Sequence, residues 1–191
     1  MEERYIVEDV RYRLILAGLN ELLLHGIRDF SLRRVALAAQ VSCAAPYRHF
    51  KDKDELICAI VEYVASKWLL LSGEIKRAFC TDTKRLAVEL SVAAVRFWVA
   101  NGNFRTVLMT DAEVSERRLS YMSNFDKDII EAIDGHFQGK NISPSELERV
   151  KISVRSIIYG TVMLIGTGRL ENTPSTIASV RKTVEEQLNL A

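Results

Sequence analysis

The chain has little that would interrupt or cross-link it. Only three prolines occur among 191 residues, and two of them stand where helices open: Ser143-Pro144-Ser145-Glu146 combines a capping box with proline at the first helical position, and Thr173-Pro174 repeats its first element. The three cysteines, Cys43, Cys58 and Cys80, form an odd set without CxxC spacing. That pattern argues against a disulfide framework and against a structural zinc site. The longest stretches free of charged residues, Val35 to Tyr47 and Ser156 to Gly168, span 13 residues each, short of the roughly 18 to 20 a membrane span requires. No membrane-crossing segment is expected. The chain opens Met1-Glu-Glu-Arg without the apolar core of an export signal, so the expected location is cytoplasmic. Large net charge is missing too, since 26 basic residues nearly balance 25 acidic ones.

What the chain does have is apolar material and local charge. Hydrophobic residues make up 48% and charged residues 27%, as in globular proteins, which excludes global disorder. Arg28 to Lys53 carries six basic and two acidic residues, whereas Asp111 to Asp134 carries seven acidic and three basic. A polyanion would meet the first segment and avoid the second.

Apolar spacing is helical throughout. Leu56, Ile60, Val64, Trp68 and Leu71 recur at four, four, four and three residues after the cap-like Asp52-Lys53-Asp54-Glu55. Similar patterns predict helices over 4–25, 32–39, 43–49, 53–79, 83–100, 104–109, 112–137, 144–168 and 174–189. No segment sustains the period-two alternation of a strand, so the fold class is all-α. One helix is apolar almost all round: Ile157 to Ile165 contains no charge, and such a helix hides more than one face. Ser153, Ser156 and Gly160 form a small-residue stripe on it, with Ile157, Thr161 and Leu164 alongside. It reads either as a central core helix or as one that packs internally on one face and builds a homodimer with the other.

Residues 31–50 read as two short helices joined by Gln40 to Ser42, which is helix-turn-helix spacing. Ser31 caps the first and Ser42 the second. Val35, Ala36, Ala39 and Val41 supply the small apolar surface a crossed pair needs. Arg33, Arg34, Tyr47, Arg48 and His49 supply donors, and Cys43, Ala44 and Ala45 are small enough to approach base edges in a major groove. A short helical connector would share this spacing.

The stretch from Gly26 to Leu56, with its Tyr47-x-His49-Phe50-x-x-Lys53-x-x-Leu56 signature, closely resembles the DNA-binding region of the tetracycline-repressor (TetR) family of bacterial regulators. The likeness covers about residues 5–70. It implies an N-terminal three-helix DNA-binding domain, placed at 1–52, followed by a helical ligand-binding and dimerisation domain at 53–191. By this resemblance Arg33 reaches a base or phosphate, while Cys43, Ala44 and Ala45 face the groove. Tyr47, His49 and Lys53 hold the phosphate backbone together with Arg48, and Ser31 and Ser42 complete the DNA-binding set. Two positions depart from the family: Gln40 stands where a turn glycine is usual, and Pro46 where leucine is usual. The family pattern further implies repression, through a palindromic double-stranded DNA operator bound by a homodimer.

Catalysis is not expected. His25, His49 and His136 lie far apart, and no nucleophile, phosphate-loop or metal motif is present. Glu131, Asp134 and His136 are expected on a solvated acidic face rather than around a metal, and no cofactor is expected. Aromatic and methionine side chains concentrate between residues 68 and 125. Trp68, Phe97, Trp98, Phe104, Met109, Tyr121, Met122 and Phe125 are therefore candidates to line a site for an apolar small-molecule effector. The competing function is a helical ligand- or partner-binding module that keeps this fold without binding an operator.

Overall fold

The computed structural model describes the backbone of residues 2–102 and 116–189, and the side chains of residues 9–102 and 125–189. These residues form helices and no strand: α1 Glu2–His25, α2 Leu32–Ala38, α3 Pro46–His49, α4 Lys53–Ala78, α5 Thr83–Ala100, α6 Glu116–Phe137, α7 Pro144–Gly166 and α8 Pro174–Gln187. The helix expected over 104–109 lies outside the described residues.

The helix ends follow from their caps. Ser143 accepts from the Glu146 amide at 3.2 Å while the Glu146 carboxylate accepts from the Ser143 amide at 3.2 Å, a reciprocal capping box. Thr173 caps α8 through the Thr176 amide at 3.1 Å. At the start of α4, Asp52 accepts from the Glu55 amide at 2.9 Å and Glu55 accepts from the Lys51 amide at 2.5 Å.

Two compact units result, the first built from α1 to α3 and α4 up to Ser66, the second from α4 beyond Lys67 with α5, most of α6, α7 and α8. In the first, Leu14, Leu22, Val35, Ala36, Leu56, Ile57, Ile60 and Val61 are almost wholly buried. Each large aliphatic side chain among them contributes about 1.5–3 kcal/mol through burial. Gly18 lets α1 approach α4, since a Cβ there would fall 2.7 Å from Cδ1 of Ile60. The apolar face of α4 is what makes it long and apolar enough to cross a membrane by length and composition, contrary to the expectation drawn from charge-free runs. Two charges dilute a window without breaking it, and that window is 56% buried inside the protein, as in a core helix.

In the second unit, Val150, Val154, Ile158 and Val162 recur every four residues and form the buried stripe of α7. The acidic segment of α6 is less solvated than its composition suggests. Asp126 pairs with Arg155 at 3.0 Å, Asp128 with Lys76 at 2.6 Å and Asp134 with Lys151 at 2.5 Å, so neighbouring helices neutralise it. His136 turns to the Leu188 carbonyl at 3.2 Å, and only Glu131, loosely paired to Lys127 at 3.9 Å, is exposed as expected.

Candidate nucleic-acid interface

Helix α2 is set on α1 by a carboxylate. Glu21 is buried and accepts from the Ser31 amide at 3.1 Å and from Nε of Arg34 at 2.7 Å. This anchors the start of α2, where the Ser31 hydroxyl accepts from the Arg34 amide at 3.4 Å. The other end is held by Arg13, whose guanidinium donates to the Ala39 carbonyl at 3.2 Å. Two backbone bonds then close α2, Val41 N–H to the Ala36 carbonyl at 3.0 Å and Gln40 N–H to the Leu37 carbonyl at 3.1 Å. Together they form a Schellman stop, which puts Gln40 in the left-handed conformation with φ at +56°. The turn therefore has the left-handed conformation that glycine adopts most readily.

The second helix differs from expectation. It begins at Pro46 rather than near residue 43, and the Ser42 side chain does not cap it; Ala45 occupies that place without a side-chain bond. Proline has no N–H to donate and its ring fixes φ, so it fits the first helical position and cannot continue a helix begun three residues earlier. Ser42 instead closes the preceding turn through its carbonyl, which accepts from the Ala45 amide at 2.9 Å. Ser42, Cys43 and Ala44 stand exposed on that turn and Ala45 is half-buried.

The donors divide into free and engaged groups. Arg33 and Arg48 are exposed, and Tyr47 is 64% exposed although it is aromatic. Arg34 is engaged with Glu21 and positions α2. Lys53 donates to the Ile27 carbonyl at 2.7 Å and its ammonium lies 5.7 Å from the centre of the Phe30 ring, which holds one charge at the opening of α4. His49 is half-buried beside Phe50, with ring centres 6.4 Å apart. Burial pushes its pKa below the usual 6.5, and the charges of Arg11 and Arg48 push it the same way. Sequence reasoning passed over Arg11. Its guanidinium carbon lies 5.3 Å from the centre of the Phe50 ring, and only the fold brings residues 11 and 50 together.

Of the candidate effector-site residues, Trp68, Phe97, Trp98 and Phe125 form one aromatic cluster. Trp98 and Phe125 have ring centres 4.6 Å apart, and Trp68 lies 5.5 Å from Phe97 and 5.9 Å from Phe125. The indole nitrogen of Trp68 is buried without a partner among the described residues. Phe104 and Met109 lie outside the described residues, as do the side chains of Tyr121 and Met122.

On α7, Ser156, Gly160 and Leu164 are exposed and Ser153, Ile157 and Thr161 are half-buried. Nothing lies within 4 Å of a Cβ built on Gly160. With Ile152 at 54% and Met163 at 44% exposure, α7 presents an open apolar face opposite its buried stripe. Ile157 and Thr161 also line a shallow groove of about 280 Å³ against the hydroxyl-rich start of α8. Among the described residues no three His, Cys, Asp or Glu side chains form a metal-sized group.

Comparison with known proteins agrees with this reading of the N-terminal unit. Residues 14–60 match the family described as bacterial regulatory proteins, tetR family. No curated protein sequence matches the chain. Among solved structures, a TetR family transcription regulator from Marinobacter aquaeolei VT8 aligns over 98% of both chains with a TM-score of 0.74 and 19% identity. A TetR regulator from Haloarcula marismortui aligns over 95% of this chain and 97% of its own, with a TM-score of 0.74 and 18% identity. FadR from Bacillus subtilis, solved with stearoyl-CoA, aligns over 93% and 96% with a TM-score of 0.68 and 14% identity.

Proposed function

We propose, from the premise that residues 14–60 are a tetR-type helix-turn-helix segment carried on the fold of tetR-family regulators, that this protein is a ligand-responsive repressor. It acts in the cytoplasm without catalysing a reaction, and as a homodimer it binds a palindromic operator.

The observation that carries the reading is the exposed surface around α3. Cys43 and Ala44 expose small side chains just before α3, and Arg33, Tyr47 and Arg48 are exposed as well, which suits a groove floor flanked by phosphate. Ser31, Ser42, Ala45, His49 and Lys53 complete the proposed contact set. The open face of α7, with Ser153, Ser156, Ile157, Gly160, Thr161 and Leu164, is the proposed dimer contact together with α8. A two-fold dimer would present two copies of α3 to successive major grooves.

The effector reading rests on the aromatic cluster of Trp68, Phe97, Trp98 and Phe125 within the second unit. That FadR from Bacillus subtilis was solved with stearoyl-CoA supports an apolar ligand in a fold of this kind. A ligand favouring the conformation that misplaces α3 weakens operator binding by the ratio of its affinities for the two states.

The test is salt-dependent, sequence-selective binding to duplex DNA from the protein's own promoter region. Saturable binding there, absent on scrambled duplex, is expected. Binding with no sequence preference would overturn the operator reading, leaving the helical binding module.

A further inference from the structure

Arg11 shares the surface of α3 without being part of the helix-turn-helix. It is exposed, and its guanidinium carbon lies 5.3 Å from the centre of the Phe50 ring. Phe50 is itself 2% exposed and terminates α3, so the cation lies at the carboxyl end of that helix. A guanidinium lying over a ring spends no N–H group on that contact if its plane faces the ring. The other described arginine of α1 is used differently: Arg13 reaches the Ala39 carbonyl at 3.2 Å and Asp9 at 3.4 Å. Among the described side chains, no carboxylate lies within ion-pair distance of Arg11.

We infer that the duplex-binding surface extends onto α1, where Arg11 takes a backbone phosphate beside Tyr47 and His49. This rests on the operator-binding reading and adds a contact that the helix-turn-helix does not supply. Phosphate is the fitting target because Arg11 sits beyond the small residues that face the groove floor, and a planar N–H fork matches phosphate oxygens in pairs. The charge of Arg11 also reaches the His49 ring, whose depressed pKa it deepens after burial has lowered it. Arg11 and Arg48, whose charges both reach the His49 ring, thus supply the positive charge of this edge.

The experiment measures affinity for promoter duplex against salt for the full chain and for Arg11→Gln and Arg169→Gln. Arg169 is exposed after α7 and serves as a bystander. Loss of one phosphate contact lowers the log–log salt slope by about 0.9, so the affinity lost between about 50 and about 200 mM salt shrinks roughly 3.5-fold. Arg11→Gln should show that change, and Arg169→Gln should keep the parent slope. A parent slope in Arg11→Gln overturns the inference and leaves the operator reading standing. The same lowered slope in Arg169→Gln also overturns it, because the effect would then follow net charge rather than a contact at this place. Absence of salt-dependent duplex binding by the unmodified chain overturns both.

Discussion

Glu21 and Arg34 join the scaffold helix α1 to the start of the helix-turn-helix: Oε1 of Glu21 lies 2.7 Å from Nε of Arg34 and 3.1 Å from the Ser31 amide. The same carboxylate therefore fixes a side chain and a backbone donor at one helix start. Glu21→Ala should cost about 1–3 kcal/mol, because the Ser31 N–H loses its acceptor in a part-buried place. Arg34→Met should also lower the melting temperature. The two changes together should lose less than the sum of the single losses, as expected for partners in contact. Strict additivity in a denaturation double-mutant cycle would show that the pair is not coupled.

Gln40 occupies a left-handed position at φ +56°, which strains a residue with a Cβ by about 1 kcal/mol or more. Gln40→Gly should raise the melting temperature by a few degrees. Its exposed side chain leaves no packing to lose. A lower melting temperature by calorimetry would mean that the greater freedom of glycine in the unfolded chain outweighs the relief of strain.

Lys53 has two tasks in this structure under the proposed function, and they separate experimentally. Its ammonium already donates to the Ile27 carbonyl at 2.7 Å, and it has two further N–H groups for phosphate. Lys53→Met should lower both thermal stability and the salt slope of duplex binding, whereas Arg33→Ala should leave stability unchanged and relax selectivity at one operator position by roughly 1–3 kcal/mol. Calorimetry beside binding to operator variants distinguishes them. An unchanged salt slope in Lys53→Met would remove Lys53 from the contact set.

Two half-buried histidines make the fold sensitive to mild acid. His49 and His136 are both held below the usual 6.5, in each case chiefly by burial. Arg11 and Arg48 add to the effect at His49, while at His136 Lys140 and Lys84 lower the pKa and the Leu188 carbonyl and Asp82 oppose them. Above about pH 7.5 both rings are neutral folded or unfolded and contribute no pH dependence. As pH falls from there through the folded pKa values, the unfolded chain takes up protons first and stability declines. Melting temperature should therefore drop between about pH 7.5 and pH 5.5, less steeply in His49→Gln and in His136→Gln. By nuclear magnetic resonance, Arg11→Gln should raise the His49 pKa. A flat melting curve over that range would contradict the burial of these rings.

For the proposed dimer, Gly160→Arg places a long charged side chain on the open face of α7. Since nothing in the protomer lies within 4 Å of a Cβ there, the isolated fold should tolerate it. Sedimentation should show dissociation with unchanged helicity. A tight dimer in that variant would move the interface elsewhere.

Much of this architecture was legible from local chemistry. Apolar spacing along Leu56, Ile60, Val64 and Trp68, the caps at Ser31, Ser143 and Thr173, and the helix-opening Pro144 and Pro174 act within one or two turns. Their effects therefore appear in the residues themselves. The left-handed turn at Gln40 was equally readable, because the family that this segment resembles carries glycine there.

What the tertiary structure alone decided depends on partners distant along the chain. Asp126, Asp128 and Asp134 belong to a locally acidic segment in the sequence, and only the fold brings Lys76, Lys151 and Arg155 of α4 and α7 against them. Arg33 and Arg34 are adjacent arginines with different uses, because a buried carboxylate thirteen positions before Arg34 engages it while Arg33 faces outward. Charge and donor count are properties of a side chain, whereas freedom to bind something else depends on which neighbours folding has already supplied.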